Sequence, residues 1–313
     1  MSTLNAAAVT AGDDAVTDAT FAELEEAAAK KKKLGIGAWL AIIWLGLLAF
    51  VSLFAGFLPL NDPDASVDVQ RLAPFQNMST PLGTDANGRD LLARAIYGAR
   101  VSMLIAVCAV FLGLIVGGLL GLVAGYFRNW IGNALASFFD ILLAIPQLVL
   151  ALAMVSVLKG DPSSTEGFHL PVVLVLILTL GLVSIPILAR ITRASTFTWS
   201  QREFVTAARA QGAGDARILL REVLPNVLPA MVSISLLGIA VAIVAEGGLA
   251  LLGASVEPPQ STWGTMVAAG RSDLELAPFI LFVPVIAIFL TVLSLNYLGD
   301  VVRDRFDVRE SAL

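Results

Sequence analysis

Two stretches of this 313-residue chain hold residues whose types and spacing point to work on a partner or a solute. The first, Arg202 to Pro229, reads REFVTAARAQGAGDARILLREVLPNVLP and is a cationic amphipathic segment set between strongly apolar runs. Phe204, Ala207, Ala208 and Gln211 fall at helical spacing, residues 212–215 interrupt with Gly-Ala-Gly-Asp, and Ile218, Leu219 and Val223 restart an apolar stripe before Leu224 and Pro225. The pattern predicts helix, turn, helix. Gly212 suits the left-handed residue that ends the first helix, and Asp215 is placed to cap the second by accepting from the N–H of Arg217 or Ile218. Arg202, Arg209, Arg217 and Arg221 outnumber Glu203, Asp215 and Glu222, which assigns the segment to the cytoplasmic side of a membrane.

The second is Glu246, well inside an apolar run and followed by Gly247 and Gly248. An ionisable group at such depth is costly and faces a cavity or a partner. Glu246 either lines a translocation path or, protonated or paired, locks two helices. Asp140, near the cytoplasmic end of another apolar run, reads as structural.

Other chemistries have no support. No G-x-x-x-x-G-K-[ST] phosphate loop occurs, so the chain does not bind ATP in that way. His169 is the only histidine and Cys108 the only cysteine, which leaves no zinc site, no catalytic triad and no intramolecular disulfide. Neither H-E-x-x-H nor G-x-S-x-G is present. No covalent catalysis is expected, and no cofactor or metal.

The elements that position these residues are membrane spans. Hydrophobic residues make up 57% of the chain and charged residues 14%, where soluble domains carry about a quarter charged. No basic patch of the kind that binds nucleic acid stands out. Six apolar runs, at 37–58, 99–126, 133–158, 171–189, 229–253 and 279–299, are each near or above the roughly 20 residues that cross about 30 Å of hydrocarbon. The chain therefore divides into a cytoplasmic tail at 1–36, a first span at 37–58, an extracytoplasmic loop at 59–98, a five-span core at 99–299 with its cytoplasmic loop at 190–228, and a cytoplasmic tail at 300–313. Lys30 to Lys33, Arg128, Arg190, Arg193, the loop arginines, Arg303, Arg305 and Arg309 fall inside; Arg71, Arg89, Arg94, Arg100, Lys159 and Arg271 fall outside. Both termini are thus expected in the cytoplasm. Thr20 to Glu23 forms a capping box, and the four lysines after it serve as a topology anchor or bind anionic lipid.

In the outer loop, Gly83 and Gly88 punctuate tight turns, and Asp85 and Asp90 are placed to bond local backbone or Arg89. Gly113, Gly117, Gly118, Gly121 and Gly125 make a small-residue ridge on the second span, which predicts a helix internal to a bundle. Pro146 and Pro186 sit inside the third and fourth spans and Pro284 inside the sixth; such prolines kink helices along pathways and occur equally in inert bundles.

Glu203 through Pro225 resembles the cytoplasmic EAA loop of ABC-importer permeases, a helix-turn-helix that docks in a groove on an ATPase subunit. Ala207, Ala208, Gly212, Leu224 and Pro225 match that motif; Thr206 stands where its glutamate usually stands, with Glu203 one turn earlier. Pro81 to Asp85 with Gly88 to Asp90, residues 97–100, Glu246, Leu252-Gly253, Pro258-Pro259, Trp263-Gly264, Gly270-Arg271, Ala277-Pro278, and Asn296 to Asp300 with Arg303-Asp304 look like the C-type permease of dipeptide and oligopeptide importers. Thr80 replaces a histidine often found before that proline. The resemblance covers about 35–309. It implies an all-α polytopic type I permease fold with six transmembrane helices, in the inner membrane. It further implies a heterodimer with a homologous second permease chain, ATPase subunits that carry ATP and magnesium, an extracytoplasmic solute-binding protein, and peptide as cargo. The coupling loop would be Glu203, Thr206, Ala207, Ala208, Gly212, Asp215, Leu224 and Pro225. Nickel-chelate and glutathione importers share the subfamily pattern. A self-contained channel or secondary transporter, with Glu246 as an ion site, is the reading from another class; it has no need of a long cationic loop.

Overall fold

The structure is a computed structural model and describes residues 34–160 and 170–310, side chains to 305. The capping box at Thr20, Lys30 to Lys33 and His169 lie outside the described residues. Among the described residues the chain is mostly helical, with long helices joined by short ones. α1 (Ile36–Leu53) packs on the last helix, where the Trp44 indole N–H donates to Thr291 Oγ1 at 3.1 Å. Ile36, Leu40, Ile43, Leu47 and Phe50 face outward. In lipid an outward apolar face carries no penalty, because the tails are as apolar as the side chains.

The loop after α1 folds on its own polar groups. Asp85 Oδ1 accepts from the amides of Asn87 and Arg89, and its Oδ2 accepts from Arg89 Nε at 2.8 Å. Gly83 and Gly88 take φ of +82° and +75°. Asp90 ends the loop by capping α2 (Leu91–Tyr126), accepting from the Leu92 amide, and also accepts from Asn61. Asp85 and Asp90 therefore spend their oxygens as the sequence predicts. At about 1.5 Å per residue α2 is roughly 54 Å long, more than a bilayer's hydrocarbon, so its first turns project beyond the apolar run that begins at 99.

α2 is the spine of the bundle because its glycines let one neighbour approach to backbone distance and seat a side chain of another. A Cβ at Gly117, Gly121 or Gly125 would lie 2.6, 2.4 or 2.5 Å from the carbonyl oxygens of Ile185, Ala189 and Arg193 on α5 (Val172–Trp199). One at Gly118 would lie 2.5 Å from the Met231 methyl.

The third apolar run differs from a straight span. α3 (Trp130–Ala144) and α4 (Gln147–Lys159) meet at 90°. Pro146 forces the residue before it out of helical space, and Ile145 has φ −79°, ψ 130°. Among the described residues five helices are long and apolar enough to cross a membrane, and the bent pair makes up to six. Pro186 and Pro284, by contrast, lie inside unbroken helices.

α6 (Glu203–Ala210) follows α5, and α7 runs unbroken over Asp215–Leu251. The second helix of the predicted elbow thus continues into the fifth span. Its turns widen to π-helix over Ile218–Val223. Pro225 and Pro229 follow, and neither has an N–H for the carbonyl four residues back. α8 (Trp263–Gly270) and α9 (Phe279–Glu310) complete the chain.

Candidate coupling elbow and buried carboxylate

α6 is amphipathic, and the sequence decides which side is down. Val205 is fully buried, with Phe204 and Ala208 partly so, against Leu122, Tyr126, Ile218, Val223, Val227 and Met231. Glu203, Thr206, Ala207, Ala210 and Gln211 form the exposed side. Its end is a Schellman turn: the Ala213 amide donates to Ala208 O at 3.1 Å and the Gly212 amide to Arg209 O at 3.0 Å, with Gly212 at φ +83°. Around Gly212 there is open space, with nothing within 4 Å of an added Cβ. Leu224 is half-buried and Pro225 exposed, both within α7.

Asp215 departs from the predicted role. It is the first helical residue, Gly214 occupies the cap position, and no side chain caps this end. The carboxylate turns to α2 instead: the Tyr126 hydroxyl donates to Asp215 Oδ1 at 2.6 Å and accepts from Arg209 Nη2 at 3.1 Å. Arg209 Nη2 stands 3.8 Å from the same Oδ1.

Glu246 is 1% exposed in the upper part of α7. A second Schellman turn, with Gly253 at φ +77° and the Ala254 amide donating to Leu249 O, folds the chain back so that Ser255 reaches it. Ser255 Oγ and Thr262 Oγ1 each donate to Glu246 Oε1 at 2.7 Å. Thr262 is also the N-cap of α8 in a reciprocal box with Thr265, so the carboxylate sits at that helix's first turn. Glu246 Oε2 has no hydrogen-bond partner among the described residues, and a Cβ on Gly264 would come within 2.7 Å of it. The joint extends to α2, since the Trp263 amide donates to Ser102 Oγ at 3.0 Å and its indole to Ala95 O at 2.9 Å.

An apolar cavity of about 300 Å³ lies between α2, α4, α5 and α7, with Val110, Ala151, Leu180, Leu188 and Gly238 in its wall and Gln147 and Ser184 as its polar groups. Ala245 lines it; the carboxylate of Glu246 points elsewhere, toward Ser255 and Thr262. Asp140 is exposed.

The sequence reading passed over Tyr126, Ser255 and Thr262, and gave Gly264 no part beyond the resemblance. A lone aromatic hydroxyl at the end of an apolar run, and threonines spaced as a capping box at 262 and 265, were the available signals.

The model of the family described as "binding-protein-dependent transport system inner membrane component" matches residues 117–311. A di/tripeptide transport system permease protein, DppC, of Pseudomonas aeruginosa is 37% identical over 276 residues, 87% of this chain and 88% of that one. A glutathione transport system permease protein, GsiD, of Pectobacterium atrosepticum is 32% identical over 88% of this chain and 87% of that one. Among solved structures, inward-facing MetNI methionine ABC transporter has a chain that aligns with a TM-score of 0.55 at 17% identity, covering 68% of this chain and 95% of that one. An amino acid ABC transporter with histidines gives a TM-score of 0.52 at 16% identity, covering 68% and 94%; both show the fold. The chain belongs to the binding-protein-dependent transport system inner membrane component family and is a permease subunit of an ABC importer. A free-standing channel or secondary transporter is thereby set aside.

Proposed function

We propose that this permease imports short peptides, forming the translocation pathway with a homologous second permease chain. ATPase subunits, which carry the ATP and magnesium, dock on the exposed side of α6 and the turn at 212–214, and an extracytoplasmic solute-binding protein delivers cargo to the outer face. The observation that carries the docking proposal is the elbow itself: a small-residue face around Glu203, Thr206, Ala207 and Gly212, open to a partner, on a helix whose other side is buried against α2 and α7. A load on that face moves the helices under it, and nucleotide-driven closure shifts the bundle between two states only if docking differs in energy between them. The coupling residues are the exposed Glu203, Thr206, Ala207, Gly212 and Asp215, seated by Ala208 and continued by Leu224 and Pro225.

Peptide is favoured as cargo because the two similar permeases are named for di/tripeptides and for glutathione, itself a tripeptide. Glutathione alone and nickel chelate are the competing cargoes. The test is ATP-driven uptake by the complete complex in proteoliposomes, with a dipeptide, a tripeptide, glutathione and a nickel chelate in turn. Peptide uptake that only peptides compete away is expected; uptake of nickel chelate alone would remove the cargo assignment. Both termini are assigned to the cytoplasm. In a Cys108→Ala background, cysteine at Met78 is expected to label from outside and cysteine at Gln211 only from inside, both positions being exposed.

A further inference from the structure

The cytoplasmic end of α2 holds a hydroxyl that docking alone does not require. Tyr126 is the last residue of α2 and is 8% exposed, its ring edge-on to Phe127 at 5.1 Å between centroids. Arg209 belongs to the last turn of α6 and Asp215 is the first residue of α7. One phenol therefore joins three elements and bridges the two sides of the turn at 212–214, giving its proton to Asp215 and its lone pair to Arg209. Without it the two charges would form only a solvated pair: their side chains are 61% and 57% exposed and their atoms 3.8 Å apart, a geometry that contributes little. The remainder of the joint, Leu122 with Val205, Ile218 and Val223, is apolar. Apolar burial holds the elbow against α2 but is non-directional. Hydrogen bonds fix direction. Above the joint α2 meets α5 at backbone distance along its glycines, so a rotation imposed at Tyr126 enters the most extensive helix contact of the bundle.

We propose that Tyr126 is a positioning residue for coupling: held between Arg209 and Asp215, it transmits the movement of the elbow to α2, and so sets how much cargo moves per ATP rather than how tightly the ATPase binds. This rests on the elbow as the docking site. The test uses the complete complex in proteoliposomes with Tyr126→Phe, Asp215→Asn and Gly212→Trp, measuring ATPase co-purification, ATP hydrolysis and peptide uptake per ATP. Phe keeps the ring and its packing and removes only the hydroxyl. Co-purification and hydrolysis are expected to stay within about twofold of the parent, while uptake per ATP falls about tenfold, the factor that one hydrogen bond to a charged group supplies. Asp215→Asn keeps an acceptor for the phenol and is expected to fall less, about threefold. Unchanged uptake per ATP in Tyr126→Phe would overturn the proposal, and so would a loss of co-purification equal to the loss of uptake, which would make the hydroxyl part of the dock. Gly212→Trp isolates the premise: if it docks and couples normally, the elbow is not the docking site, whereas its failure beside a silent Tyr126→Phe removes the role of Tyr126 alone.

Discussion

α7 carries a carboxylate near each end, Asp215 and Glu246, roughly 46 Å apart along the axis at about 1.5 Å per residue, and the two are held by opposite means. Asp215 is more than half exposed, and its partners are a phenol and a guanidinium from two other helices. Glu246 is 1% exposed and is met by two hydroxyls, with one oxygen unpartnered among the described residues. In water a charged group exchanges partners cheaply, because solvent takes up whatever the protein releases. In a dry site nothing replaces a lost partner, and each unmade hydrogen bond costs its full desolvation. The same helix is therefore fastened at one end by a joint suited to movement and at the other by one suited to staying put.

The largest effect is expected at the dry end. Glu246→Leu leaves the hydroxyls of Ser255 and Thr262 without their acceptor, at about 1–3 kcal/mol each, and frees the start of α8 from α7. Loss of assembled complex, measured as yield and thermal stability of the purified importer, is the expected result. Glu246→Gln keeps a carbonyl oxygen for both hydroxyls and should assemble and transport within a few-fold of the parent. Abolished uptake in Gln with normal assembly would show that an ionised group is required there, and would restore Glu246 to a translocation path. Gly264→Ala attacks the joint from the other side, since its Cβ would fall 2.7 Å from Glu246 Oε2 and 2.8 Å from Gly247 Cα; assembly should fail as it does in the Leu variant.

At the wet end the expected effects are on coupling. Gly212 has φ +83° and open space around it. If its only role is to end α6, Asn should serve nearly as well, because Asn tolerates positive φ, and Ala should cost about 1 kcal/mol more. If a partner approaches closely, bulk decides the order, and Trp is worst, then Asn, then Ala. We expect the second order in ATPase co-purification and peptide uptake, with membrane insertion normal in all three. Full coupling in Gly212→Trp would take the docking role from the elbow and leave the contrast between the two ends without its moving half.

The contrast also marks what was legible in the sequence. Local signals held: the glycine ridge of α2, the left-handed end of α6 at Gly212, the turns at Gly83 and Gly88, and the roles of Asp85 and Asp90 all follow from residue type at short range. Asp215 was misread because its partner is Tyr126, 89 residues earlier, and a phenol within reach at 2.6 Å leaves the carboxylate unavailable as a cap. Glu246 was legible as a costly buried group but not as the acceptor of Ser255 and Thr262, since that depends on the turn at Gly253 reversing the chain. Pro146 was legible as a proline inside the third apolar run, but the 90° angle between α3 and α4 was not, since Pro186 and Pro284 sit in similar runs whose helices stay unbroken.

The smallest effect is expected at a third carboxylate, Glu257, which is exposed like Asp215 but lacks a buried group between itself and its partner. Lys159, in the last turn of α4, donates to Glu257 Oε1 and ties α4 to the loop before α8. The ammonium holds the Glu257 carboxyl below its ordinary value of 4.5. A depressed carboxyl value stabilises the folded state above that ordinary value, and the contribution is lost as pH falls through the lower folded one. It is fully present at neutral pH, yet small, because Glu257 is 70% exposed and solvent screens the pair. Glu257→Gln should leave assembly, thermal stability and uptake unchanged within error at neutral pH. Any difference that is measured should vanish near 1 M salt, where the Debye length is about 3 Å. Glu246→Leu should keep its full effect in the same salt, since its cost is desolvation rather than a screened attraction. A Glu257 effect as large as that of Glu246→Leu, or a Glu246 effect that salt removes, would mean that burial does not separate the two kinds of joint.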